Sequence, residues 1–176
     1  MPVLETDRLA LRRLTTDDTA FILELLNDPS FLRHIGDKGV RNTADAVRYI
    51  QDGPLASYER FGFGLYLVER KDGGEPIGIC GLLKRESLED PDLGFAFLPR
   101  FWRKGYALES ASAVLAHAGA TLGLKRILAI TSPGNVASIN LLVKIGFRAD
   151  RVARLSADEE PILVFSRECA GGSSTP

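Results

Sequence analysis

The stretch that most constrains the fold of this chain is residues 93–110, LGFAFLPRFWRKGYALES. It predicts an apolar strand, then a short loop with three cations and one glycine, and then a helix. The first turn of a helix has unpaired N–H groups and a positive dipole end, which disfavours cations such as Arg103 and Lys104 just before it. This departure from a local rule predicts a bound phosphate or pyrophosphate, which Gly105 would allow close to the backbone. A plain strand-to-helix turn on a solvated surface is the alternative.

The residues around this loop resemble the central motif of a known family. Residues 92–99, DLGFAFLP, followed by residues 102–107, WRKGYA, are similar to that motif in the GCN5-related N-acetyltransferases (GNAT), in the branch that includes the ribosomal-protein alanine acetyltransferases. In the family, the six residues usually begin with Gln or Arg, with glycine in the fourth position and Gly or Ala in the sixth. This chain has Trp102 in the first position, as that branch does, and Arg103 where a glycine is common. Gly105 and the final alanine are retained.

The resemblance extends over residues 5–167 and implies an α+β (α/β) fold, the GNAT fold. In that fold, a mixed central sheet of six to seven strands is splayed between strands 4 and 5 and carries about four helices. The length of 176 residues suits one domain, which can bury roughly 70% of its unfolded surface. We expect the GNAT acetyltransferase domain over residues 1–168 and a disordered tail over residues 169–176.

Hydrophobic alternation and turn residues predict the other elements. Residues 71–74, KDGG, indicate a hairpin between two strands. Residues 30–42 are expected to be irregular, and Gly53-Pro54 to break or kink the helix over residues 43–60. An earlier helix is predicted to end at Asn27. The predicted strands cover residues 9–14, 63–70, 75–84, 92–98, 125–131, 147–154 and 162–167.

The resemblance also implies that acetyl-CoA is the acetyl donor and that no metal takes part. Its pyrophosphate would lie at residues 102–107, which we call the cradle, and its pantetheine arm along the fourth strand. A second stretch, with Asn135, Ser138 and Gly146-Phe147, has the spacing of the second GNAT motif, whose asparagine and small polar residue touch the cofactor. Asn135 also fits a helix N-cap, and the two roles can coexist. The cofactor-binding residues implied in this way are Phe97, Leu98, Trp102, Arg103, Lys104, Gly105, Tyr106, Ala107, Asn135 and Ser138.

Asp92 is the residue that we expect to act as the catalytic base. In the resemblance, an amine attacks the thioester directly, and a strand N–H near Phe97 faces the developing oxyanion. Amines arrive protonated, and Asp92 stands where this branch usually has an acidic residue. An ordinary exposed aspartate is the alternative, and Glu89 and Asp90 are weaker candidates for the base. Leu142 occupies the position where many relatives have a tyrosine acid, so the sequence leaves the general acid open.

Composition restricts the partners. With 22 basic and 23 acidic residues and a net charge of -1, nothing indicates a nucleic-acid face or attraction to an anionic membrane. Cys80 and Cys169 are expected to be reduced thiols in a cytoplasmic protein, because no signal peptide or membrane span is visible. The expected acceptor is a small-molecule amine or a protein N-terminus, chosen by residues 30–58. A homodimer is a further expectation from the branch, and a non-catalytic acyl-CoA-binding or interaction module is the alternative function.

Overall fold

One mixed sheet organises the chain, and the computed structural model describes residues 1–170. The strands are β1 (Pro2–Glu5), β2 (Leu9–Arg13), β3 (Leu65–Arg70), β4 (Pro76–Leu83), β5 (Asp92–Phe97), β6 (Arg126–Thr131), β7 (Arg148–Ala153) and β8 (Ile162–Glu168). The α-helices are α1 (Thr19–Asn27), α2 (Pro29–His34), α3 (Thr43–Ile50), α4 (Ala56–Phe61), α5 (Tyr106–Ala120) and α6 (Val136–Lys144). Short 3₁₀ turns cover Thr16–Asp18 and Pro99–Phe101, and one turn of π-helix covers Gln51–Leu55.

The eight strands lie in the order β1-β2-β3-β4-β5-β6-β8-β7. Neighbouring strands are antiparallel, except for β5 and β6, which are parallel. Within residues 1–170, the β5–β6 ladder holds only two pairs, Asp92 with Leu128 and Leu93 with Ala129. Beyond these pairs the two strands diverge, so residues 94–97 are paired with β4 alone. The predicted splay is therefore confirmed.

Several local predictions are also confirmed. β3 and β4 form the antiparallel hairpin that residues 71–74 indicate. The break expected at Gly53-Pro54 is the turn of π-helix between α3 and α4, which suits a proline that cannot donate a backbone hydrogen bond. α5 follows the cradle, buries Ala111, Leu115 and Ala118, and packs against β4 and β5. The cradle is thus held between a buried strand and a buried helix.

Two elements differ from the expectation. The sheet has eight strands rather than six to seven, because β1 pairs with β2 at the edge of the sheet. α2 lies in the segment that was expected to be irregular. Its cause is local, since the side chain of Asp28 accepts the N–H of Ser30 at 2.9 Å and Pro29 occupies the first helical turn. Asp28 therefore both ends α1 and begins α2.

The described chain continues past the predicted domain end at residue 168. Cys169 is buried, and its N–H donates to the carbonyl of Lys125 at 2.8 Å, so it belongs to the folded domain rather than to the predicted tail. Residues 171–176 of that predicted tail lie outside the described residues. Cys80 and Cys169 are both free thiols. No helix within residues 1–170 is long and apolar enough to cross a membrane.

Candidate active site

A cleft of about 1380 Å³ opens where β5 and β6 diverge. Every residue of β5 lines it. At one end, which we call the cradle end, its walls are the residues that begin α5 together with Asn135 and Ser138 at the start of α6. At the other end, the helical end, its walls are α2, the π turn and Arg85. The splay of the sheet therefore produces one continuous groove along β5.

Backbone groups of the loop between β5 and the cradle are hydrogen-bonded within the loop and to β4. The N–H of Leu98 donates to the carbonyl of Ile77 at 3.1 Å, and its carbonyl accepts the N–H of Phe101 at 2.9 Å. Leu98 is also buried and does not line the cleft, so the structure gives no support to its prediction as a cofactor-binding residue. The indole N–H of Trp102 donates to the carbonyl of Phe97 at 2.8 Å. This bond fixes the turn and removes one acceptor from the open edge of β5.

The cradle presents a run of unpaired backbone donors. Within residues 1–170, the N–H groups of residues 103–108 donate to no protein acceptor, and the first helical bond runs from Glu109 to the carbonyl of Gly105 at 3.0 Å. Gly105 has φ +82°, and Arg103 has φ +59°, a left-handed conformation that non-glycine residues rarely adopt. Glycine adopts this left-handed conformation without steric cost, which explains why glycine is common at the position of Arg103 in the family. Unpaired N–H groups at the start of a 15-residue helix suit an anion.

The turn between β1 and β2 holds the cradle in place. The carboxylate of Glu109 accepts the hydroxyl of Thr6 at 2.6 Å, and the backbone N–H of Arg8 at 3.0 Å and its Nε at 2.8 Å. The Nη1 of Arg8 also donates to the carbonyl of Lys104 at 2.9 Å. Burial alone would raise the pKa of Glu109, but these hydrogen bonds hold it below its usual value. Arg8 and Glu109 were missed from the sequence because they are far apart in the chain.

The start of α6 forms the opposite wall of the cradle end. The side chain of Asn135 accepts the N–H of Ser138 at 3.3 Å, which confirms the predicted N-cap, and both residues line the cleft. Thr131, at the end of β6, lines the same wall and is 7% exposed. Its hydroxyl is the buried side-chain polar atom without a hydrogen-bond partner in the described chain. No sequence pattern marks Thr131 beyond its place before the second motif.

Asp92 is fully buried, at 0% exposure, so the alternative of an ordinary exposed aspartate is wrong. The Nε of Arg85 donates to both of its carboxylate oxygens, at 3.1 and 3.2 Å. Burial raises the pKa of Asp92, and the charge of Arg85 opposes part of that rise. The weaker candidates do not line the cleft, because Glu89 pairs with Arg151 and Asp90 lies by Arg126. Asp92 is thus a buried acid that lines the groove at the start of β5, next to Arg85 at the helical end.

Leu142, which occupies the position where many relatives have a tyrosine, does not line the cleft. Leu142 is 1% exposed within the core, and its neighbour Leu141 lines the groove instead. Tyr49 on α3 and Tyr106 at the start of α5 line the cleft instead. Burial raises the pKa of Tyr49, with Arg85 opposing the rise, so this phenol stays protonated at neutral pH.

Most of the predicted site residues come together in this groove, while Lys104 and Leu98 do not line it. Lys104 is exposed, and its ammonium lies 5.9 Å from the centre of the Phe101 ring. Within residues 1–170, no group of three His, Cys, Asp or Glu side chains could hold a metal ion. The residues that line the groove as predicted are Asp92, Phe97, Trp102, Arg103, Gly105, Tyr106, Ala107, Asn135 and Ser138.

The fold and the groove define a CoA-dependent acyltransferase. The model of the family described as Acetyltransferase (GNAT) domain matches residues 8–148, so the chain belongs to the GNAT family of N-acetyltransferases. Acetyl-CoA is its acetyl donor. In sequence, the chain is 33% identical over 154 residues to the "Uncharacterized N-acetyltransferase YoaA" of Bacillus subtilis (strain 168), which covers 87% of this chain and 86% of that protein.

Solved structures have the same fold. An acetyltransferase from Agrobacterium tumefaciens str. C58 has a TM-score of 0.80 and 27% sequence identity, covering 95% of this chain and 94% of that one. The ribosomal-protein-S5-alanine acetyltransferase from Vibrio fischeri has a TM-score of 0.77 at 15% identity, covering 94% and 96%. At that identity the second likeness concerns the fold alone.

Proposed function

We propose that the protein transfers an acetyl group from acetyl-CoA directly to a primary amine held at the helical end of the cleft. The acceptor is a small-molecule amine or a protein N-terminal α-amine. The observation that carries this proposal is the continuity of the groove, which runs from the unpaired N–H groups of residues 103–108 past the open edge of β5 to Asp92. One groove thereby connects an anion site to a buried carboxylate.

The chain's own residues fit the cofactor. The N–H groups of residues 103–108 suit a diphosphate, because they are unpaired and lie at the positive end of a helix. Residues 94–97 offer backbone groups on their unpaired side for amide groups of the pantetheine arm, except that the Phe97 carbonyl is already bonded to Trp102. Leu98 takes no part in this scheme. The expected site is therefore made mainly of backbone atoms.

Asp92 is proposed as the base. When bound, acetyl-CoA supplies a thioester whose C–S bond breaks as the N–C bond to the amine forms, releasing the CoA thiol. At pH 7, an α-amine with a pKa near 8 costs about 1.4 kcal/mol to deprotonate, and a lysine amine near 10.4 about 4.6 kcal/mol. The raised pKa of Asp92 makes it a better proton acceptor than an ordinary aspartate, directly or through water, and Arg85 fixes its orientation. A thiolate leaves readily, which reduces the need for an acid at Leu142.

The test of this function is an assay of the full chain with acetyl-CoA and a panel of primary amines. The panel contains amino acids, monoamines without an acidic group, polyamines and peptides with free N-termini. We expect release of free thiol together with an acetylated amine of the corresponding mass. Tight acetyl-CoA binding without thiol release across the panel would instead support the alternative, a non-catalytic acyl-CoA-binding module.

Thr131 adds a proposed contact to the cofactor site. Its buried hydroxyl has no protein partner, so Thr131→Val removes an unsatisfied polar group, and we expect the free energy of unfolding to stay constant or to rise by about 1 kcal/mol. If the hydroxyl bonds to the cofactor, the Kd for CoA rises about fivefold in calorimetry. Thr121→Val, at the exposed end of α5, is the matched control and should change neither value. A Thr131→Val protein that is less stable but binds CoA normally would contradict this role.

A further inference from the structure

The helical end of the cleft contains a guanidinium whose terminal nitrogens are not used by the protein. Arg85 follows β4, lines the cleft and is 32% exposed. Its Nε donates to both oxygens of Asp92, which fixes the plane of the group. Within residues 1–170, its Nη1 and Nη2 donate to no protein acceptor. A rigid, planar fork of donors therefore remains available at this end.

A second cation lies near this fork. Lys38 is in the loop between α2 and α3 and lines the same cleft. Its ammonium makes no ion pair or hydrogen bond among the described residues, and the pKa of Lys38 is lowered, first by desolvation and then by the charge of Arg85. Two like charges that interact without an intervening acid are unfavourable unless an anion joins them.

The nearby acids do not supply that anion. Asp37 is paired with Arg41, and Asp92 is buried against the Nε side of Arg85. Glu159, on the loop between β7 and β8, is the acid that acts on Lys38, and it is exposed to water, which screens its charge. The neighbouring Lys84 does not add to the site, because its ammonium donates to backbone carbonyls. Asp52 and Glu160 also line the cleft, but both are exposed to water, and within residues 1–170 neither forms an ion pair with Lys38 or Arg85. Lys38 and the terminal nitrogens of Arg85 are thus cationic groups of this end that no acid in the described chain pairs with.

We propose that Arg85 and Lys38 form a subsite for an oxyanion on the acceptor, so that the preferred substrate is a primary amine that also carries a carboxylate or a phosphate. This inference rests on the proposed function. A guanidinium fork matches the two oxygens of such a group, and an ammonium beside it adds a point charge. The subsite also disfavours acceptors with additional cations, such as polyamines and lysine-rich peptides. Asp92 then holds the fork and accepts the proton of the amine.

Matched pairs of acceptors test the subsite with the full chain. L-Phenylalanine is compared with 2-phenylethylamine for the carboxylate, and O-phosphoethanolamine with ethanolamine for the phosphate. We expect kcat/KM from thiol release to be at least about tenfold higher for one or both anionic members, through KM. The pair with the larger ratio identifies the group. Lys38→Gln should lower that ratio about fivefold, while Lys71→Gln, which removes a lysine at the β3–β4 turn, should leave it unchanged.

The outcomes separate this inference from the proposed function. Clear turnover with equal or better use of the amines that lack an acidic group, or a ratio that Lys38→Gln does not change, overturns the subsite and leaves the acetyltransferase function standing. If no amine is acetylated, the function fails, and the subsite is judged by binding alone. In that case, N-acetylphenylalanine is titrated into protein saturated with CoA. Binding that is weakened by Lys38→Gln supports the subsite, and binding that is absent or unchanged in the variant overturns it.

Discussion

Replacing Gly105 with valine is expected to raise the Kd for CoA roughly 30-fold, which corresponds to about 2 kcal/mol. Gly105 has φ +82°, a conformation that a β-branched residue strongly disfavours. A Cβ at this position would also lie 3.2 Å from the Nη2 of Arg8, which is held by Glu109. The loop would have to shift to relieve both effects. Such a shift moves the unpaired N–H groups that begin α5 away from the diphosphate.

The matched control for this variant is Gly123→Val. Gly123 follows the other end of α5 with φ +66°, and a Cβ there would meet no atom within 4 Å. Both variants place valine in a left-handed conformation next to the same helix, so both should lose stability to a similar extent. Calorimetry should find weakened CoA binding only for Gly105→Val. If both variants bind CoA like the unmodified protein, the cradle is not the diphosphate site.

Replacing Asp92 with asparagine is expected to lower kcat about 100-fold at pH 7, the typical contribution of a positioned base, and to leave the Kd for CoA within about twofold. Asparagine keeps an oxygen for the Nε of Arg85, and Arg85 is itself part-exposed, so the variant should fold. The pKa of Asp92 is raised by burial, so kcat/KM of the unmodified protein should increase with pH through a value above the ordinary 3.8. Only the deprotonated carboxylate of Asp92 can accept the proton of the amine, and its fraction grows as the pH rises. The increase of kcat/KM with pH that is due to Asp92 should be absent in Asp92→Asn.

Glu89→Gln is the control for that experiment. Glu89 lies three residues before Asp92 but pairs with Arg151 outside the cleft, so its removal should leave turnover unchanged. Turnover of Asp92→Asn that equals that of the unmodified protein from pH 6 to 9 would mean that Asp92 is not the base. A loss of turnover in both variants would indicate a general effect of charge rather than a positioned carboxylate.

Features that depend on neighbouring residues could be predicted from the sequence. Gly105 and the cations before it indicated the cradle, residues 71–74 the hairpin, and Asn135 the cap of α6. Each of these is set by the local backbone conformation or by a side chain within a few residues. The splay of β5 from β6 followed from the family resemblance rather than from any local signal.

Features that depend on distant contacts could not be predicted. The brace between Arg8 and Glu109 joins residues 101 positions apart, and no local pattern marks either one. That the hydroxyl of Thr131 is buried without a hydrogen-bond partner follows only from the three-dimensional positions of all its neighbours. The resemblance implies Leu98 as a cofactor-binding residue, but its N–H donates to the carbonyl of Ile77 in the neighbouring strand β4. Backbone pairing between strands, unlike turn chemistry, requires knowledge of the sheet.

The most direct measurement is a crystal structure of the protein with CoA. We expect diphosphate oxygens about 3 Å from several of the backbone nitrogens of residues 103–108, with the pantetheine arm beside residues 94–97. A diphosphate bound elsewhere, with those N–H groups facing water alone, would show that the cradle is not the cofactor site.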